Sequence, residues 1–255
     1  MSPRLRFALD AVRKAGQSTL EHFQSGVAVE YKDDSSPVTV ADKNAETILR
    51  AEINAKYPGE TILGEEQGLT GTGYTRWIID PIDGTKSFIC GVPLFATLLS
   101  YEVDGEPILG VSYFPALDEM VYAELGSGCF MNDREVTVTN RSTTKGGFLA
   151  CGGPNSMVKY GRWAGFEELS ANAVATRTWS DAYGHCLVAT GRVDAMIDPV
   201  VSRWDLSAIK IIVEEAGGRF TDFKGENPFN KGDFGLEAIS SNGIIHDEIL
   251  KVYAV

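Results

Sequence analysis

The chain has 255 residues, of which 44% are hydrophobic, and a formal net charge of -12. This length suits one large domain or two tightly apposed ones, and the acidic balance argues against nucleic acid or an anionic membrane surface as a partner. No apolar run reaches the roughly 18 residues of a membrane span and the N-terminus lacks a secretion-signal pattern, so we expect a cytoplasmic protein.

Helical and extended patterns alternate through the first part of the chain. Apolar residues recur at helical spacing from residue 3 to about residue 22, and again over residues 41–55. Asp42 lies at the start of the second helix, where a carboxylate complements the helix dipole. Short strands are expected at residues 27–31 and 61–63.

The segment at residues 77–85 reads Trp-Ile-Ile-Asp-Pro-Ile-Asp-Gly-Thr. Its proline favours extended geometry in the preceding residue, so we expect Asp80 at the tip of a buried strand and a free Ile82 carbonyl. Asp83 is a favourable N-cap residue, and the N–H groups of residues 84–85 would then face an anion at a helix start. The segment predicts a metal-assisted phosphate site, although the same letters alone more often form an ordinary turn.

The second half of the chain continues the mixture of helix and strand. The predicted elements are strands at residues 95–101, 107–113 and 120–123, a helix at 182–190, a strand at 193–197 and a helix at 203–216. The three closely spaced strands predict an antiparallel meander. Because helices and strands mix throughout without a linker, the pattern favours a compact layered α/β protein.

Four acidic residues follow strands or begin helices, where their side chains can meet. Glu65 follows a strand as Asp80 does, so both can reach the same end of a sheet. Asp42 and Asp205 each stand in a first helical turn, where capping alone is the commoner role. Trp204 would anchor the helix start beside Asp205 in a buried position. Several carboxylates near a phosphate repel one another, and Mg²⁺, which prefers oxygen ligands, resolves that conflict.

Taken together, these motifs resemble the inositol monophosphatase family. The matching segments are residues 32–42, 65–66, 77–85, 204–208 and 215–218, in the order that the family requires and over nearly the whole chain. Within the family, residues 86–97 and 202–205 are similar to the histidinol-phosphate phosphatases.

The resemblance implies a layered αβαβα sandwich of the inositol monophosphatase/fructose-1,6-bisphosphatase type, with residues 1–255 as a single catalytic domain. It also implies Mg²⁺-dependent hydrolysis of a small phosphate monoester, with two or more ions per site. Similar proteins are usually dimers, so we also consider a homodimer. The implied metal ligands are Glu65, Asp80 and the Ile82 carbonyl for one ion, and Asp80, Asp83 and Asp205 for a second.

The same resemblance implies roles for residues beside the metals. Glu65 and Thr85 would orient and activate the attacking water, with Asp42 polarising Thr85. Gly84 and Thr85 would cradle the phosphate. The full set of implied substrate contacts is Asp83, Gly84, Thr85, Ser180, Asp181, Asp198 and Asp205.

We expect the substrate to be L-histidinol phosphate, which would give L-histidinol and phosphate in histidine biosynthesis. Histidinol carries an amine that Asp181 or Asp198 could pair with, whereas a neutral polyol gains little there. Acids at these positions need no ligand, however. The alternatives are an inositol-1-monophosphatase or another small-molecule phosphatase of the family and, in a different class, a non-catalytic metal- or phosphate-binding regulator. The presence of Glu65 and Thr85 favours an enzyme.

A competing pattern occurs at residues 185–192, which match His-Cys-x5-Arg, the motif of cysteine-dependent phosphatases. That phosphate loop needs small residues, whereas residues 187–189 read as buried helix, so we expect Cys186 to be a core residue. The spacing Asp-x-x-Asp-Gly-Thr is one residue too long for an aspartyl-phosphate phosphatase. The scattered cysteines and histidines favour neither a disulfide framework nor a zinc site.

Overall fold

An eight-stranded sheet and a five-stranded sheet organise the computed structural model of the protein, in which residues 1–32, 36–179 and 181–254 are described. The strands are β1 (Val29–Tyr31), β2 (Pro37–Thr39), β3 (Thr61–Gly64), β4 (Gly68–Thr70), β5 (Arg76–Asp83), β6 (Ala96–Val103), β7 (Glu106–Phe114), β8 (Glu119–Glu124), β9 (Cys129–Met131), β10 (Arg134–Val136), β11 (Phe148–Cys151), β12 (Ala175–Arg177), β13 (Ala195–Val201), β14 (Arg219–Thr221) and β15 (Leu236–Ser241). The α-helices are α1 (Pro3–Thr19), α2 (Val40–Lys56), α3 (Thr85–Ile89), α4 (Pro154–Lys159), α5 (Trp163–Ser170), α6 (Asp181–Ala189), α7 (Arg203–Glu215) and α8 (His246–Tyr253).

The eight-stranded sheet brings two predicted site residues together at one edge. Its strand order is β10-β9-β8-β7-β6-β5-β3-β4, and the predicted meander of β6, β7 and β8 is confirmed. Strands β3 and β5 run parallel, with Gly64 opposite Ile79, and the Glu65 N–H donates to the Ile79 carbonyl at 3.2 Å. Because these parallel strands end at the same edge, Glu65 and Asp80 become neighbours there.

Strand β5 does not stop at Asp80, contrary to the sequence-based expectation. Asp80 pairs with Leu98 and Asp83 with Ala96, so β5 carries one extra residue across this interval. Two residues three positions apart face opposite sides of a regular strand, but a bulge with one extra residue turns both toward the same side. The bulge also accommodates Pro81, which cannot donate to the strand ladder. Both aspartates can therefore face one pocket.

The five-stranded sheet has the order β12-β11-β13-β15-β14. Strand β11 runs parallel to β12 and β13, whereas the pairs β13–β15 and β14–β15 are antiparallel. The register between β13 and β15 shifts between Asp198 and Val201. This second irregularity lies at the residue that the sequence marked as a substrate contact.

The hydrophobic clusters show five layers. Helices α1 and α2 cover one face of the large sheet. There Leu5, Val12 and Leu49 of the helices share a cluster with Trp77 and Val111 of the sheet. Helices α6 and α7 lie between the two sheets, where Leu98, Cys186, Leu206, Ile212 and Ala238 share a cluster. Helices α5 and α8 cover the outer face of the small sheet with Leu149, Phe166, Ile197, Ile239 and Ile249. The expected αβαβα sandwich is confirmed. Within the described ranges, no helix has the length and apolar character of a membrane span.

Candidate active site

A pocket of about 410 Å³ opens between the end of the large sheet and the start of α7. The predicted site residues that line it are Glu65, Asp80, Ile82, Asp83, Gly84, Thr85, Asp181, Asp198 and Asp205. Asp42 lies behind this lining and reaches the pocket through Thr85. Ser180 lies outside the described residues. The structure thus brings together side chains that are up to 140 positions apart in the chain, from 65 to 205.

Three carboxylates form the centre of the pocket. Asp80, Asp83 and Asp205 each offer an oxygen atom, and these atoms lie within 4.8 Å of one another. Burial raises the pKa of Asp80 and of Asp83 well above the usual value, and the neighbouring carboxylates raise both further. Burial, followed by the charge of Glu65, raises the pKa of Asp205 to about 8. Acids crowded in this way repel one another unless a proton or a cation intervenes.

The donor set fits a hard divalent cation. Oδ1 of Asp80 is buried and has no hydrogen-bond partner within the described residues. Because buried polar atoms normally have a partner, this oxygen is available to a bound ligand. Asp83 and Asp205 supply further carboxylate oxygens at the same point. Oxygen-only ligand sets of this kind suit Mg²⁺, Mn²⁺ or Ca²⁺ and do not suit a soft metal.

Two of the acids cap helices: Asp42 behind the pocket lining and Asp205 within it. Asp42 is the third residue of α2, and its Oδ2 accepts from the Thr39 N–H at 2.7 Å and from Thr39 Oγ1 at 2.6 Å. Asp205 is the third residue of α7, and its Oδ2 accepts from the Ser202 N–H at 2.6 Å. Capping and site formation looked like competing roles in the sequence. For Asp205 the structure shows that one carboxylate caps the helix and also belongs to the acidic cluster.

Thr85 links Asp42 to the pocket. Its Oγ1 lies 2.9 Å from the Ile82 carbonyl oxygen and 3.4 Å from Asp42 Oδ1. The single hydroxyl proton goes to the nearer acceptor, so the Ile82 carbonyl is not free, contrary to the prediction. A carbonyl oxygen has two lone pairs, and one remains for a ligand. Burial raises the pKa of Asp42, against the lowering effect of its bonds to Thr39.

Asp83 does not cap α3, the helix that follows it in the chain, which corrects a second expectation. The N-cap of the short helix α3 is Gly84, in the left-handed region with φ 78°. Asp83 still belongs to β5, and its Oδ2 accepts from the Ala182 N–H at 2.8 Å. This bond ties the large sheet to the start of α6. Gly84 suits the left-handed turn because a side chain there would be strained.

Lys32 is a site residue to which the sequence reasoning assigned no role. Its Nζ lies 2.8 Å from Oε1 of Glu65 and 2.8 Å from Oε1 of Glu66. Burial alone would lower the pKa of Lys32, but the two glutamates outweigh that effect and raise it. Burial raises the pKa of Glu65 and brings that of Glu66 to about 7. The only sequence signal was a lysine at the start of a matching segment.

The start of α7 is anchored by Arg203, not by Trp204 as expected. Trp204 is half-buried, and its ring packs against the exposed Phe234 with centroids 5.3 Å apart. Arg203 is 4% exposed, and its Nε lies 2.8 Å from Oε1 of Glu102, which is completely buried. Arg76 Nε also donates to Glu102, at 3.2 Å. This buried ion network holds the helix that carries Asp205.

Two more acids, Asp181 and Asp198, line the same pocket. A Cβ placed on Gly84 would lie 3.2 Å from Asp181 Oδ2, which puts the Asp181 carboxylate against the turn after β5. The charge of Asp181 is the strongest neighbouring cause, after burial, of the raised pKa of Asp83. Asp198, on β13, is 7% exposed and lines the same pocket.

The cysteine motif does not form a phosphate loop. Cys186 is completely buried within α6, and burial raises the pKa of its thiol. Arg192, the arginine of the motif, forms an ion pair with Glu119 at 3.1 Å. A nucleophilic cysteine requires an accessible thiolate, which neither feature permits. The expectation that Cys186 is a core residue is confirmed.

Comparison with known proteins agrees with this geometry. The model of the inositol monophosphatase family matches residues 1–253. A relative named histidinol-phosphatase, from Chlorobaculum parvum, is 41% identical, and the match covers 95% of each chain. A relative named fructose-1,6-bisphosphatase/inositol-1-monophosphatase, from Thermotoga maritima, is 38% identical over 98% of this chain and 95% of that one. The crystal structure of extragenic suppressor protein suhB from Bartonella henselae is 30% identical, with a TM-score of 0.92 over 99% of each chain. The chain belongs to the inositol monophosphatase family.

Proposed function

We propose that this phosphatase converts L-histidinol phosphate and water to L-histidinol and phosphate, with Mg²⁺ as the cofactor, in histidine biosynthesis. One observation carries the proposal: a single pocket contains two acidic regions. The first is the cluster of Asp80, Asp83 and Asp205, and the second consists of Asp181 and Asp198. The first region suits a metal-bound phosphate and the second suits a cationic leaving group. The relative named histidinol-phosphatase supports the same substrate.

The carboxylates of the pocket would hold two Mg²⁺ ions. The proposed ligands are Glu65, Asp80 and the Ile82 carbonyl for one ion, and Asp80, Asp83 and Asp205 for the other. Bound ions would supply an activated water and would offset the negative charge on the phosphate and on the leaving oxygen. Mg²⁺ is the preferred ion because it is held by a few carboxylates together with substrate phosphate.

Glu65, Thr85 and Asp42 would position the attacking water. Asp42 Oδ1 lies 3.4 Å from Thr85 Oγ1, close enough to accept a hydrogen bond from the Thr85 hydroxyl after a small rotation. The Thr85 oxygen would then accept from the water, while a Glu65 oxygen takes up its second proton. The N–H groups of Gly84 and Thr85 would donate to the phosphate oxygens.

Asp181 and Asp198 would favour an ester whose leaving group carries an amine. Both lie in a pocket that already contains several carboxylates, so a cationic substrate gains where a neutral one does not. Histidinol is such a leaving group. Inositol carries no charge of its own and would gain less from these two carboxylates.

We also propose that residues 1–255 act as a single catalytic domain, as a homodimer in the cytoplasm. Helix α7 supports the single domain because it contacts strands β5 to β8 of the large sheet and strands β14 and β15 of the small one. Light scattering coupled to size-exclusion chromatography tests the dimer, and a mass equal to one chain would contradict it.

The test of the function is a comparison of substrates in the presence of Mg²⁺. Phosphate release is measured from histidinol phosphate, inositol 1-phosphate and adenosine 3',5'-bisphosphate at matched concentrations. We expect kcat/KM to be highest for histidinol phosphate. A clear preference for inositol 1-phosphate would favour the alternative that the Thermotoga maritima relative suggests by its name. Absence of release from all three would leave another small-molecule phosphatase of the family or a non-catalytic regulator as the alternatives.

A further inference from the structure

We propose that His185 is a positioning residue that aims the Asp198 carboxylate at the cationic group of the substrate. The inference rests on the proposed function, because it explains how the pocket selects an ester with an amine in its leaving group. His185 precedes the buried Cys186 on α6 and lines the pocket. In the sequence it was considered only as part of the cysteine motif.

The His185 ring is buried but only half satisfied. The residue is 1% exposed, and its Nδ1 lies 2.7 Å from Ser240 Oγ on β15. Its Nε2 is buried and has no hydrogen-bond partner within the described residues. The group facing Nε2 is Asp198, whose Oδ2 lies 3.7 Å away. A buried polar atom without a partner calls for an explanation, and this atom points to a pocket-lining carboxylate.

The neighbours of the ring select one tautomer. A carboxylate can only accept, so a bare Nε2 facing Asp198 would place two acceptors against each other. Ser240 has a hydroxyl that can donate to Nδ1, which leaves the ring proton on Nε2. The Nε2–H group then points at Asp198 Oδ2. At 3.7 Å the pair is longer than a hydrogen bond, and closure requires a shift of less than 1 Å or a bridging water.

The backbone around Asp198 restricts the other side of its carboxylate. A Cβ on Gly152 would lie 2.3 Å from Asp198 Oδ1, so that oxygen rests directly against the Gly152 backbone. The register shift that begins at Asp198 turns the strand locally, and bulges commonly redirect a side chain in this way beside a binding site. Oδ1 is therefore confined by Gly152 and Oδ2 faces His185.

An imidazole N–H suits this task better than a lysine or an arginine would. Lysine or arginine beside Asp198 would cancel its charge and remove the attraction for a substrate amine. An imidazole N–H orients the carboxylate and leaves its charge in place. The charge is felt within the pocket, since Asp198 contributes to the raised pKa of both Asp83 and Asp205. A cationic leaving group would relieve that repulsion.

Two polar variants separate the two nitrogen atoms of His185. In His185→Asn the amide reaches the position of Nδ1 and can bond Ser240, but it has no donor at the Nε2 position. In His185→Gln the amide reaches the Nε2 position and can donate to Asp198. The variants are assayed with two amine-bearing esters, histidinol phosphate and phosphoethanolamine, and with glycerol 2-phosphate, whose leaving group is uncharged.

We expect His185→Asn to raise KM for both amine-bearing esters by about tenfold, as for loss of a hydrogen bond to a charged group. The kcat of this variant for the same esters should stay within about twofold of the wild-type value, and so should its kcat and KM for glycerol 2-phosphate. A twofold change is small compared with loss of a hydrogen bond to a charged group. His185→Gln should behave like the wild type. In an Asp198→Asn background, which should itself raise KM for the amines, His185→Asn should add nothing.

Two results would overturn the inference. One is an equal loss on all three esters with no difference between the Asn and Gln variants, because this would make His185 a structural residue. The other is a full additional effect of His185→Asn in the Asp198→Asn background, because this would show that it does not act through Asp198. A wild type that prefers inositol 1-phosphate would reject the proposed function alone. The ratio of phosphoethanolamine to glycerol 2-phosphate hydrolysis would still decide the role of His185.

Discussion

Backbone N–H groups hold three of the carboxylates at the pocket. Asp42 accepts from Thr39, Asp83 from Ala182 and Asp205 from Ser202. A backbone donor orients a carboxylate without supplying a formal charge, so the negative charge stays available for a cation. At the scale of single residues, each acid is therefore fixed in place with its charge intact, so that Asp83 and Asp205 can offer oxygen atoms to a metal and Asp42 can face Thr85.

Asp83→Asn tests whether these acids perform the chemistry. Asparagine keeps an oxygen for the Ala182 N–H but loses the carboxylate charge. Loss of an outer partner of a metal typically costs 10- to 100-fold, so loss of a ligand should lower kcat by at least about 100-fold. The matched variant Cys186→Ser should retain turnover within about threefold because the thiol is buried and takes no part. Steady-state kinetics on histidinol phosphate give both numbers, and the reverse pattern would move the chemistry to the thiol.

Lys32→Gln tests whether a side-chain cation competes with the metal. Lys32 must release Glu65 if that carboxylate is to bind an ion, and its own charge repels the ion. We therefore expect the variant to reach half-maximal turnover at a lower Mg²⁺ concentration, by about fivefold for a partly exposed ion pair. Lys43→Gln is the control, because Lys43 pairs with Glu30 on the surface. A higher Mg²⁺ requirement for Lys32→Gln would show that Lys32 assists binding.

At the scale of elements, helix α7 depends on a buried ion network for its position. Glu102 accepts from Arg76, from Arg203 and, at 2.8 Å, from Ser207 Oγ. Its carboxylate is completely buried, and both arginines are at most 5% exposed. The network joins β5 and β6 of the large sheet to α7, which fixes the helix start that presents Asp205.

Glu102→Ala should destabilise the fold strongly. Removing Glu102 leaves the two buried arginines with only the partly exposed Asp233, which lies 2.7 Å from Arg76 and 3.3 Å from Arg203. Loss of one partner of a buried pair costs about 3–5 kcal/mol. The free energy of unfolding, from urea titration in EDTA, measures the effect. Glu30→Ala is the control, since it breaks the exposed pair with Lys43 and should cost less than about 0.5 kcal/mol. Equal small losses in both variants would show that the network does not hold α7.

The elements that were predictable from the sequence are those long enough to show a period. Helices α1, α2 and α7 have 17, 17 and 13 residues, and each was predicted to within a few residues. Strands β9, β10 and β12 have three residues each and were not predicted. Three residues cannot display an alternation, and such strands form because distant partners supply their hydrogen bonds.

The candidate site was also predictable only in part: residues with a local sequence signal were predicted, and residues whose roles depend on distant partners were not. Asp80 directly precedes a proline and Asp205 lies in the first turn of a helix. A carboxylate at either position is a recognisable candidate for a metal ligand. Lys32 and Arg203 gave no such signal, because their roles arise from partners 33 and 101 positions away. Asp83 was taken for a helix cap because a bulge that extends a strand past a proline leaves no trace in local sequence preferences.

At the scale of the whole molecule, the site exists only when both sheets are assembled. Asp80 and Asp83 come from the large sheet and Glu65 from the turn that follows its strand β3, whereas Asp198 comes from the small sheet and Asp205 from the helix between the sheets. The unfolded chain separates these acids and relieves their repulsion. The metal-free fold therefore carries an electrostatic cost that a bound cation removes, which couples metal binding to stability.

This coupling predicts that the metal-free fold loses stability as the pH rises and that bound Mg²⁺ offsets the loss. The pKa of Asp205 is raised to about 8 and that of Glu66 to about 7, so the metal-free fold binds more protons than the unfolded chain. Stability from these groups is complete below the unfolded pKa values and is lost as pH rises through about 7 to 8. Thermal unfolding in EDTA should therefore show a lower midpoint at about pH 8.5 than at about pH 6. The stabilisation by Mg²⁺ should be larger at the higher pH, and a smaller one would contradict this picture.

Removal of the metal tests the central claim most directly. We propose that clustered carboxylates bind Mg²⁺ and that water, not the Cys186 thiol, displaces the leaving group. Phosphate release from histidinol phosphate is measured after treatment with EDTA and again after Mg²⁺ is restored. We predict that turnover falls to the uncatalysed background with the chelator and returns in full with the ion. Undiminished turnover in EDTA would contradict the account.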